Sequence, residues 1–491
     1  MKIAIAYPPI THQGCYPLLG QNRQFKFSNS LEIRIYPIVP ATAATLLQQN
    51  GHQVLWLDGI NRRMSMAEFN QHLDTFQPEV VMIETKTPIV EAHWQYITEY
   101  REKHPAVKLV FVGDHVSFFP EESFQKSPVD FVITGGDYDF GILGVVNHLE
   151  KDDQLPAGVY YRNNGTVANT GKYQLNDNLD QLPFIDRELT RWQDYGEAYL
   201  YRPCTYIMTG RGCGGGQRGF GICTFCVWQH ALWGCIGRLR SPKNVVDEIK
   251  FLVDRYKVKE IFDDNEAGPM WNAQWVEEFY IEMQKANMLG KVTLSSNARA
   301  DSLTPRTCEL LKKCGFRLLK VGFESGNEQT LQNIHKLESL EQIKQGVKTA
   351  KDFGLVVLLT SMVGYPWETE EDVARTYTVA RDLMLYKTRF GDSLQASVIM
   401  PYPGTPLFKE AEQKGWLRLD PKAYNRYDMT EPVLKTTIDT EAWCKKMWKV
   451  YYEPKFMLKS IFTIRSLDDF KLLFRAARSL LGHLRDYHKE S

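Results

Sequence analysis

Three cysteines fall within fourteen positions, Cys213, Cys223 and Cys226, the last two spaced as C-x-x-C. Thiolates grouped in this way select soft metals, namely zinc, copper(I) or an iron–sulfur cluster. A structural zinc site would close its tetrahedron with a fourth Cys or His, and Cys235 and His230 lie near enough in the chain to supply it. Phe225 stands between the last two cysteines, and the segment continues through Trp228 and Trp233 to Arg238-Leu239-Arg240-Ser241.

The elements that must position these thiols read as a repeated strand–helix pattern. Over residues 201–415 six strand candidates (205–209, 260–262, 292–294, 319–323, 356–360 and 396–400) alternate with amphipathic helices at 243–256, 271–288, 305–314, 340–353 and 368–386. That many βα units predict a full or partial (β/α) barrel, whose functional residues cluster at the strand carboxyl ends. Polar residues do gather there: Asp263-Asp264-Asn265-Glu266, Ser295-Ser296-Asn297 with Arg299, Glu324-Ser325-Gly326, Ser361 and Tyr365. Each alone reads as an ordinary cap or turn residue. Four polar strand ends together mark a site.

Upstream, residues 1–150 alternate as strictly. Strands at 3–7, 52–57, 80–84 and 109–112 are separated by helices at 40–50, 66–76 and 91–103, which predicts a doubly wound, Rossmann-like parallel sheet. Its ligand end would carry Pro8-Pro9, Asp58-Gly59, Thr85, Gly113-Asp114-His115 and Thr134-Gly135-Gly136. No Gly-x-Gly-x-x-Gly follows the first strand, which argues against a nicotinamide dinucleotide. Residues 151–200 are polar and turn-rich, a linker with a small hairpin around Asn164-Gly165. Residues 416–491 form a mostly helical, aromatic-rich extension predicted to cover the barrel mouth. In it Phe470, Leu473, Phe474, Ala477, Leu480, Leu481 and Leu484 recur at helical spacing, and from Lys455 on eight Lys/Arg face four Asp/Glu. Such a helix docks on its own protein by default; the sharper alternative is an interfacial helix on anionic membrane.

Acids and bases balance at 59 each over 491 residues, so nothing global points to nucleic acid. The start lacks a signal-peptide core and no apolar run reaches membrane-spanning length. Nine cysteines are too few and too irregular for a secreted disulfide scaffold, which leaves a reducing cytoplasm as the expected location, with a peripheral position at the inner membrane face as the variant of it.

Taken together, Arg211-Gly212-Cys213 followed by Cys223-Thr224-Phe225-Cys226 resembles the cluster loop of cobalamin-binding radical S-adenosylmethionine (SAM) enzymes. That family usually spaces its first two cysteines by three residues. Here nine intervene, but Gly214, Gly215, Gly216, Gly219 and Gly221 allow the backbone to loop out and return. The resemblance implies that Cys213, Cys223 and Cys226 hold a [4Fe–4S] cluster and leave one iron for SAM. It implies SAM contacts from Phe225, from Asp263, Asp264 and Asn265, from Ser296, Asn297 and Arg299, and from Glu324, Met362 and Pro401. In the first domain, Val112 to Glu122, Val129 to Gly136, Tyr36-Pro37 and Asn50 to Val54 resemble the same family's cobalamin-binding domain. Cobalamin contacts are then implied for Pro9, Thr85, Gly113, Asp114, His115, Thr134, Gly135 and Gly136. The D-x-H-x-x-G motif of other cobalamin proteins is absent, and His115 reads better as a loop residue bonded to backbone than as a cobalt ligand.

The implied chemistry is reductive cleavage of SAM to a 5′-deoxyadenosyl radical, hydrogen abstraction from an unactivated carbon, and C-methylation with cobalamin as methyl donor. An electron donor such as flavodoxin or ferredoxin and a small-molecule or lipid substrate follow as partners. No individual acid or base is singled out as catalytic. The segment Cys223 to Gly234 with Arg238-Leu239-Arg240-Ser241 also resembles members that form or contract rings on lipids and hopanoids, which is the alternative enzyme reading. From a different class, the chain could be a non-catalytic metal- or cobalamin-binding protein, a reading supported by the altered cysteine spacing alone.

Overall fold

Short apolar strands alternating with one-sided helices leave each strand little choice but a parallel sheet covered on both faces. The computed structural model of the chain describes residues 1–19, 25–29, 33–214, 222–429 and 431–475. The first unit runs β1 (Lys2–Tyr7), α1 (Ile38–Gln49), β2 (Gln53–Asp58), α2 (Met66–Phe76), β3 (Val80–Glu84), α3 (Val90–Lys103), β4 (Lys108–Val112), α4 (Asp114–Phe118), α5 (Pro120–Lys126), β5 (Phe131–Ile133) and α6 (Tyr138–Lys151). The strands lie in the order β2-β1-β3-β4-β5, all parallel. Growth of the sheet reverses at β1, and the crevice outside the carboxyl ends of β1 and β3 is where such sheets bind ligands.

Two expectations shift here. The hairpin expected in the linker, β6 (Val159–Asn163) and β7 (Thr166–Asn169), pairs antiparallel with β5 and extends this sheet to seven strands. The first helix begins at Ile38, ahead of Pro40, because a proline within the first turn has no helical N–H partner to lose.

The second unit is the expected barrel fragment. Six strands, β8 (Cys204–Ile207), β9 (Glu260–Asp263), β10 (Thr293–Ala298), β11 (Phe316–Glu324), β12 (Val356–Val363) and β13 (Ser393–Val398), pair in sequence order, all parallel. Between β8 and β9 lie α7 (Val227–Ala231) and α8 (Pro242–Tyr256); α9 (Ala273–Lys285), α10 (Pro305–Lys313), α11 (Glu328–Asn333), α12 (Leu340–Asp352) and α13 (Glu370–Leu385) follow. Reciprocal capping boxes, Ser339 with Gln342 on α12 and Thr369 with Asp372 on α13, fix where the chain turns from strand ends back into helix.

After α14 (Pro406–Gln413) the extension is turns and short bridges up to Asp439, and helical from there, in α15 (Thr440–Met447), α16 (Pro454–Phe462) and a helical stretch over 467–475. It spans both units. Trp416 packs against Trp367 beyond the fifth barrel strand, ring centres 5.7 Å apart, while Tyr424 reaches His115 of the first unit at 4.8 Å. Ala477, Leu480, Leu481 and Leu484 of the expected basic helix lie outside the described residues.

Candidate active site

The loop that carries the cysteines is stapled at its base. Gly210–Arg211 pairs antiparallel with Arg238–Leu239, so everything between is one excursion from the end of β8. Gly212 has φ +84°, and a Cβ there would stand 1.9 Å from the Ile236 carbonyl oxygen; only glycine closes this crossing. From this base the Cys213 N–H donates to Gln229 Oε1 at 3.0 Å. Cys226 caps the start of α7, its N–H donating to the Cys223 carbonyl at 3.0 Å, and Thr224 N–H is held by the Ile334 carbonyl at 2.9 Å. None of the nine cysteines is in a disulfide, and Cys213, Cys223 and Cys226 are half-buried. Burial pushes the Cys223 thiol up to about 11, against the pull of Lys336.

Among the described residues no metal site is preformed, for zinc or for a cluster. His230 places Nε2 3.2 Å from the Cys223 carbonyl oxygen and Nδ1 3.7 Å from Cys235 Sγ. Among the described residues no three His, Cys, Asp or Glu side chains are gathered at metal-holding distances.

The polar strand ends form one continuous network. Asp263, at the end of β9, accepts from Thr209 N–H (2.9 Å), Thr209 Oγ1 (2.8 Å) and Ser296 Oγ (3.0 Å); burial raises its carboxyl, and these donors work against the shift. Asn297 Nδ2 bridges the Asp264 carboxylate (3.3 Å) and the Asn265 carbonyl (2.9 Å). Asp263, Asn265 and Ser296 are thus joined through Thr209 in one hydrogen-bonded group. Arg299 pairs with Asp301 at 3.2 Å and with Glu338 at 3.5 Å. Glu324 adopts φ +61°, a left-handed conformation that a non-glycine residue keeps only when its surroundings hold it, and Lys336 Nζ approaches its carboxylate to 3.2 Å. Met362 and Tyr365 share a small apolar cluster with Ile399 and Leu407, against which Phe225 packs; Pro401 is buried just beyond the last barrel strand. Around the thiols, Thr224 Oγ1, Gln229 Nε2, Trp271 Nε1 and Tyr365 OH are buried with no hydrogen-bond partner among the described residues. Orphaned polar atoms are rare in a finished interior, and four around one loop are groups that a polar guest would pair.

The first unit turns its strand ends toward the same loop. Lys86 lies 5.2 Å from the Trp228 ring of α7, and Trp228 bonds the buried Asp114, whose carboxyl is raised by burial. Glu84, also raised by burial, accepts from Tyr7 OH at 2.6 Å and Tyr138 OH at 3.2 Å. Pro9 is buried beside Gly59, and Thr85 Oγ1 is 2.9 Å from His93 Nδ1. Gly113, φ +119°, lies so close to the Thr85 carbonyl that a Cβ would stand 2.2 Å from it. Thr134 Oγ1 donates to the Gly158 carbonyl at 2.7 Å. Gly135 lies under the Tyr173 ring and Gly136 under the Trp233 ring, so both glycines already seat side chains of this chain.

His115 departs from expectation. It lies in α4 rather than a loop, fully buried, with Nδ1 3.1 Å from Thr87 Oγ1 and Nε2 3.4 Å from Glu122. Its partners are side chains, not backbone, because the helix has already satisfied the carbonyls nearby.

Between the two units lies a feature that sequence reasoning missed. Arg211, two residues before Cys213, reaches Asp137 at 2.8 Å and Asp139 at 2.5 Å, and Arg238 reaches Asp137 at 2.7 Å; all four are buried. The Trp233 ring stands within 6 Å of both guanidinium groups, at 5.7 and 5.9 Å. Burial opposes the charge on Asp137, yet the two arginines outweigh it and hold the carboxyl below its usual range. The Arg-Gly-Cys and Arg-x-Arg patterns were visible in sequence; their acidic partners, more than seventy residues away, carried no signal of their own.

Comparison with known proteins agrees with this geometry. The model of the Radical SAM superfamily matches residues 207–380. An uncharacterized methyltransferase of Pyrococcus horikoshii is 25% identical over 460 residues, 92% of this chain and 94% of the relative. The anaerobic magnesium-protoporphyrin IX monomethyl ester cyclase of Rubrivivax gelatinosus is 24% identical over 412 residues, 81% of this chain and 70% of the relative. Among solved structures, the radical SAM methyltransferase TsrM from Kitasatospora setae, with cobalamin and a [4Fe–4S] cluster bound, superposes with a TM-score of 0.67 at 14% identity over 99% of both chains. Residues 207–380 thus match the Radical SAM superfamily, and the chain as a whole has the overall fold of TsrM.

Proposed function

We propose that this chain is a cobalamin-dependent radical SAM enzyme that C-methylates an unactivated carbon of a small-molecule or lipid substrate. The observation that carries the reading is the loop itself: three thiols in no disulfide beyond the end of the first barrel strand, near buried polar atoms that have no hydrogen-bond partner among the described residues. Cys213, Cys223 and Cys226 would hold a [4Fe–4S] cluster, with Asp264, Asn297, Arg299 and Glu324 the nearest polar contacts for SAM, and the crevice of Thr85, Asp114 and Lys86 would face cobalamin. Together these groups supply a 5′-deoxyadenosyl radical and a transferable methyl group.

The chain's own residues do the rest. The clasp of Arg211 and Arg238 on Asp137 and Asp139 fixes the base of the loop, so that the thiols start from one position. Phe225, Met362, Tyr365 and Leu407 form an apolar wall that keeps water from a radical. Thr224 Oγ1 and Tyr365 OH offer hydrogen bonds to whatever polar group enters. Lys336 holds the Glu324 carboxylate in its strained position. Cobalamin binding at the first unit requires the crevice at the ends of β1, β3 and β4, since Gly135 and Gly136 are already covered. An electron donor of the flavodoxin or ferredoxin type and a reducing cytoplasm complete the requirements.

The test is anaerobic. After cluster reconstitution, SAM, reductant and cobalamin are added with and without cell extract, and 5′-deoxyadenosine and S-adenosylhomocysteine are quantified by mass spectrometry. Both products rising together, and only with cobalamin, is the expected result. The likeness to a cyclase over 81% of this chain favours one second reading, radical ring formation without methyl transfer. It predicts 5′-deoxyadenosine alone. Iron present with neither product would overturn both readings in favour of a binding protein.

A further inference from the structure

Of the fourteen large apolar side chains left exposed among the described residues, nine lie between Tyr452 and Phe474. Phe462 is 81% exposed, Leu467 80% and Phe474 73%, with Leu458, Ile461 and Phe470 each above half. Isolated exposed apolar residues are ordinary; a contiguous group on two successive helical segments marks an interaction surface.

The segment's polarity is inverted. Its acids hold it to the barrel: Asp468 pairs with Lys259 at 2.8 Å, Asp469 is buried and accepts from Tyr201 OH, and Glu453 pairs with Arg381. Thr463 Oγ1 accepts from Phe390 N–H at 2.6 Å, and Phe456 and Leu472 are the apolar residues turned inward. What remains outside is apolar side chains interspersed with Lys455, Arg465 and Lys471, which are exposed and have no ion pair among the described residues. Large apolar groups beside unpaired cations suit a surface that is itself apolar beneath and negative at its rim.

We infer that α16 and the helical segment 467–475 form a docking surface for an anionic lipid bilayer, the aromatic and aliphatic side chains entering the acyl boundary while Lys455, Arg465 and Lys471 meet headgroup phosphates. No helix among the described residues is long and apolar enough to cross a membrane, so the contact is peripheral. The inference is independent of the reaction proposed for the barrel and is read without turnover.

The experiment is flotation of the full-length protein with vesicles of equal parts phosphatidylglycerol and phosphatidylcholine, and with pure phosphatidylcholine. Binding to the first and not the second is expected, falling steeply with salt. Phe462→Ser combined with Phe474→Ser should cut the bound fraction about tenfold, as should Lys455→Glu with Lys471→Glu. These side chains are solvent-exposed, so circular dichroism and melting should be unchanged. Failure to float with either vesicle would overturn the proposal, as would equal binding to both. So would a concentration-dependent dimer that the two serine substitutions abolish, since the surface would then belong to a second copy.

Discussion

The clasp and the cysteine loop are two residues apart in sequence, at Arg211 and Cys213, yet they are opposite kinds of structure. In the clasp the charges are matched: two arginines, two aspartates and an aromatic ring, all buried, with the carboxylates accepting at both oxygens and only Arg238 Nε and Trp233 Nε1 left without a partner among the described residues. The loop is left open, with half-buried thiols in no disulfide and four buried polar atoms that have no hydrogen-bond partner among the described residues. Rigidity is placed at the root of the loop, and the open valences are left at its tip. This division suits a site whose ligands arrive from outside: the tip can close on a cluster only if the root does not wander.

The most direct way to break the comparison is at the tip. Cys226→Ala should abolish SAM cleavage and remove most of the reconstituted iron, while thermal stability and cobalamin binding by the first unit stay as in the parent. Iron analysis and 5′-deoxyadenosine yield check this. A variant that still cleaves SAM would mean that the thiols are not the cluster ligands.

At the root the outcome should be reversed. Arg211→Met leaves Asp139 buried without its partner, a class of change that costs about 3–5 kcal/mol. Urea unfolding should show that loss directly, and iron uptake should fall with it. Arg211→Lys keeps the charge but not the two-pronged contact, so it should fall between the two. If Arg211→Met is as stable as the parent, the clasp contributes nothing to the loop.

The sequence showed the root and the tip unequally, for a physical reason. Strand and helix periodicity is local, so the doubly wound sheet, the six barrel strands and the polar ends at Asp263, Ser296 and Glu324 were legible within a few residues of their true bounds. The thiols were legible because soft-metal chemistry has its own spacing. What could not be read was pairing at long range. Asp137 and Asp139 look like any helix-start acids until Arg211 and Arg238 are brought to them. The hairpin at Asn164-Gly165 was evident as a hairpin, but not that β5 would recruit it to the sheet edge. His115 was taken for a loop residue because Gly113-Asp114 reads as a turn, whereas the glycine serves as the cap of a short helix.

A smaller change tests whether the seam is packed as tightly as it is charged. Gly136→Ala would put a Cβ 2.1 Å from the Trp233 ring, overpacking that costs about 1–3 kcal/mol. In a Trp233→Phe background the same substitution should cost less, because the smaller ring leaves room. The coupling, read from four urea curves, should be of favourable sign; strict additivity would show that the ring moves aside freely.

The smallest effect is expected at the opposite rim of the mouth, where Glu368 is buried and accepts from Ser325 Oγ (2.9 Å) and Thr330 Oγ1 (2.8 Å). Burial raises its carboxyl to about 7, against the pull of those two donors, from an ordinary value of 4.5. Between these two values the folded chain holds a proton that the unfolded chain has lost. Stability from this group is therefore full below pH about 4.5, declines as pH rises toward 7 and is flat above it, a span of roughly 1–3 kcal/mol. Glu368→Gln carries no titrating proton, so its urea midpoint should change less between pH 5 and pH 8, and at pH 8 it should match or exceed the parent. An unchanged pH slope in the variant would mean that Glu368 is ionised in the folded protein, a buried charge held by Ser325 and Thr330 alone.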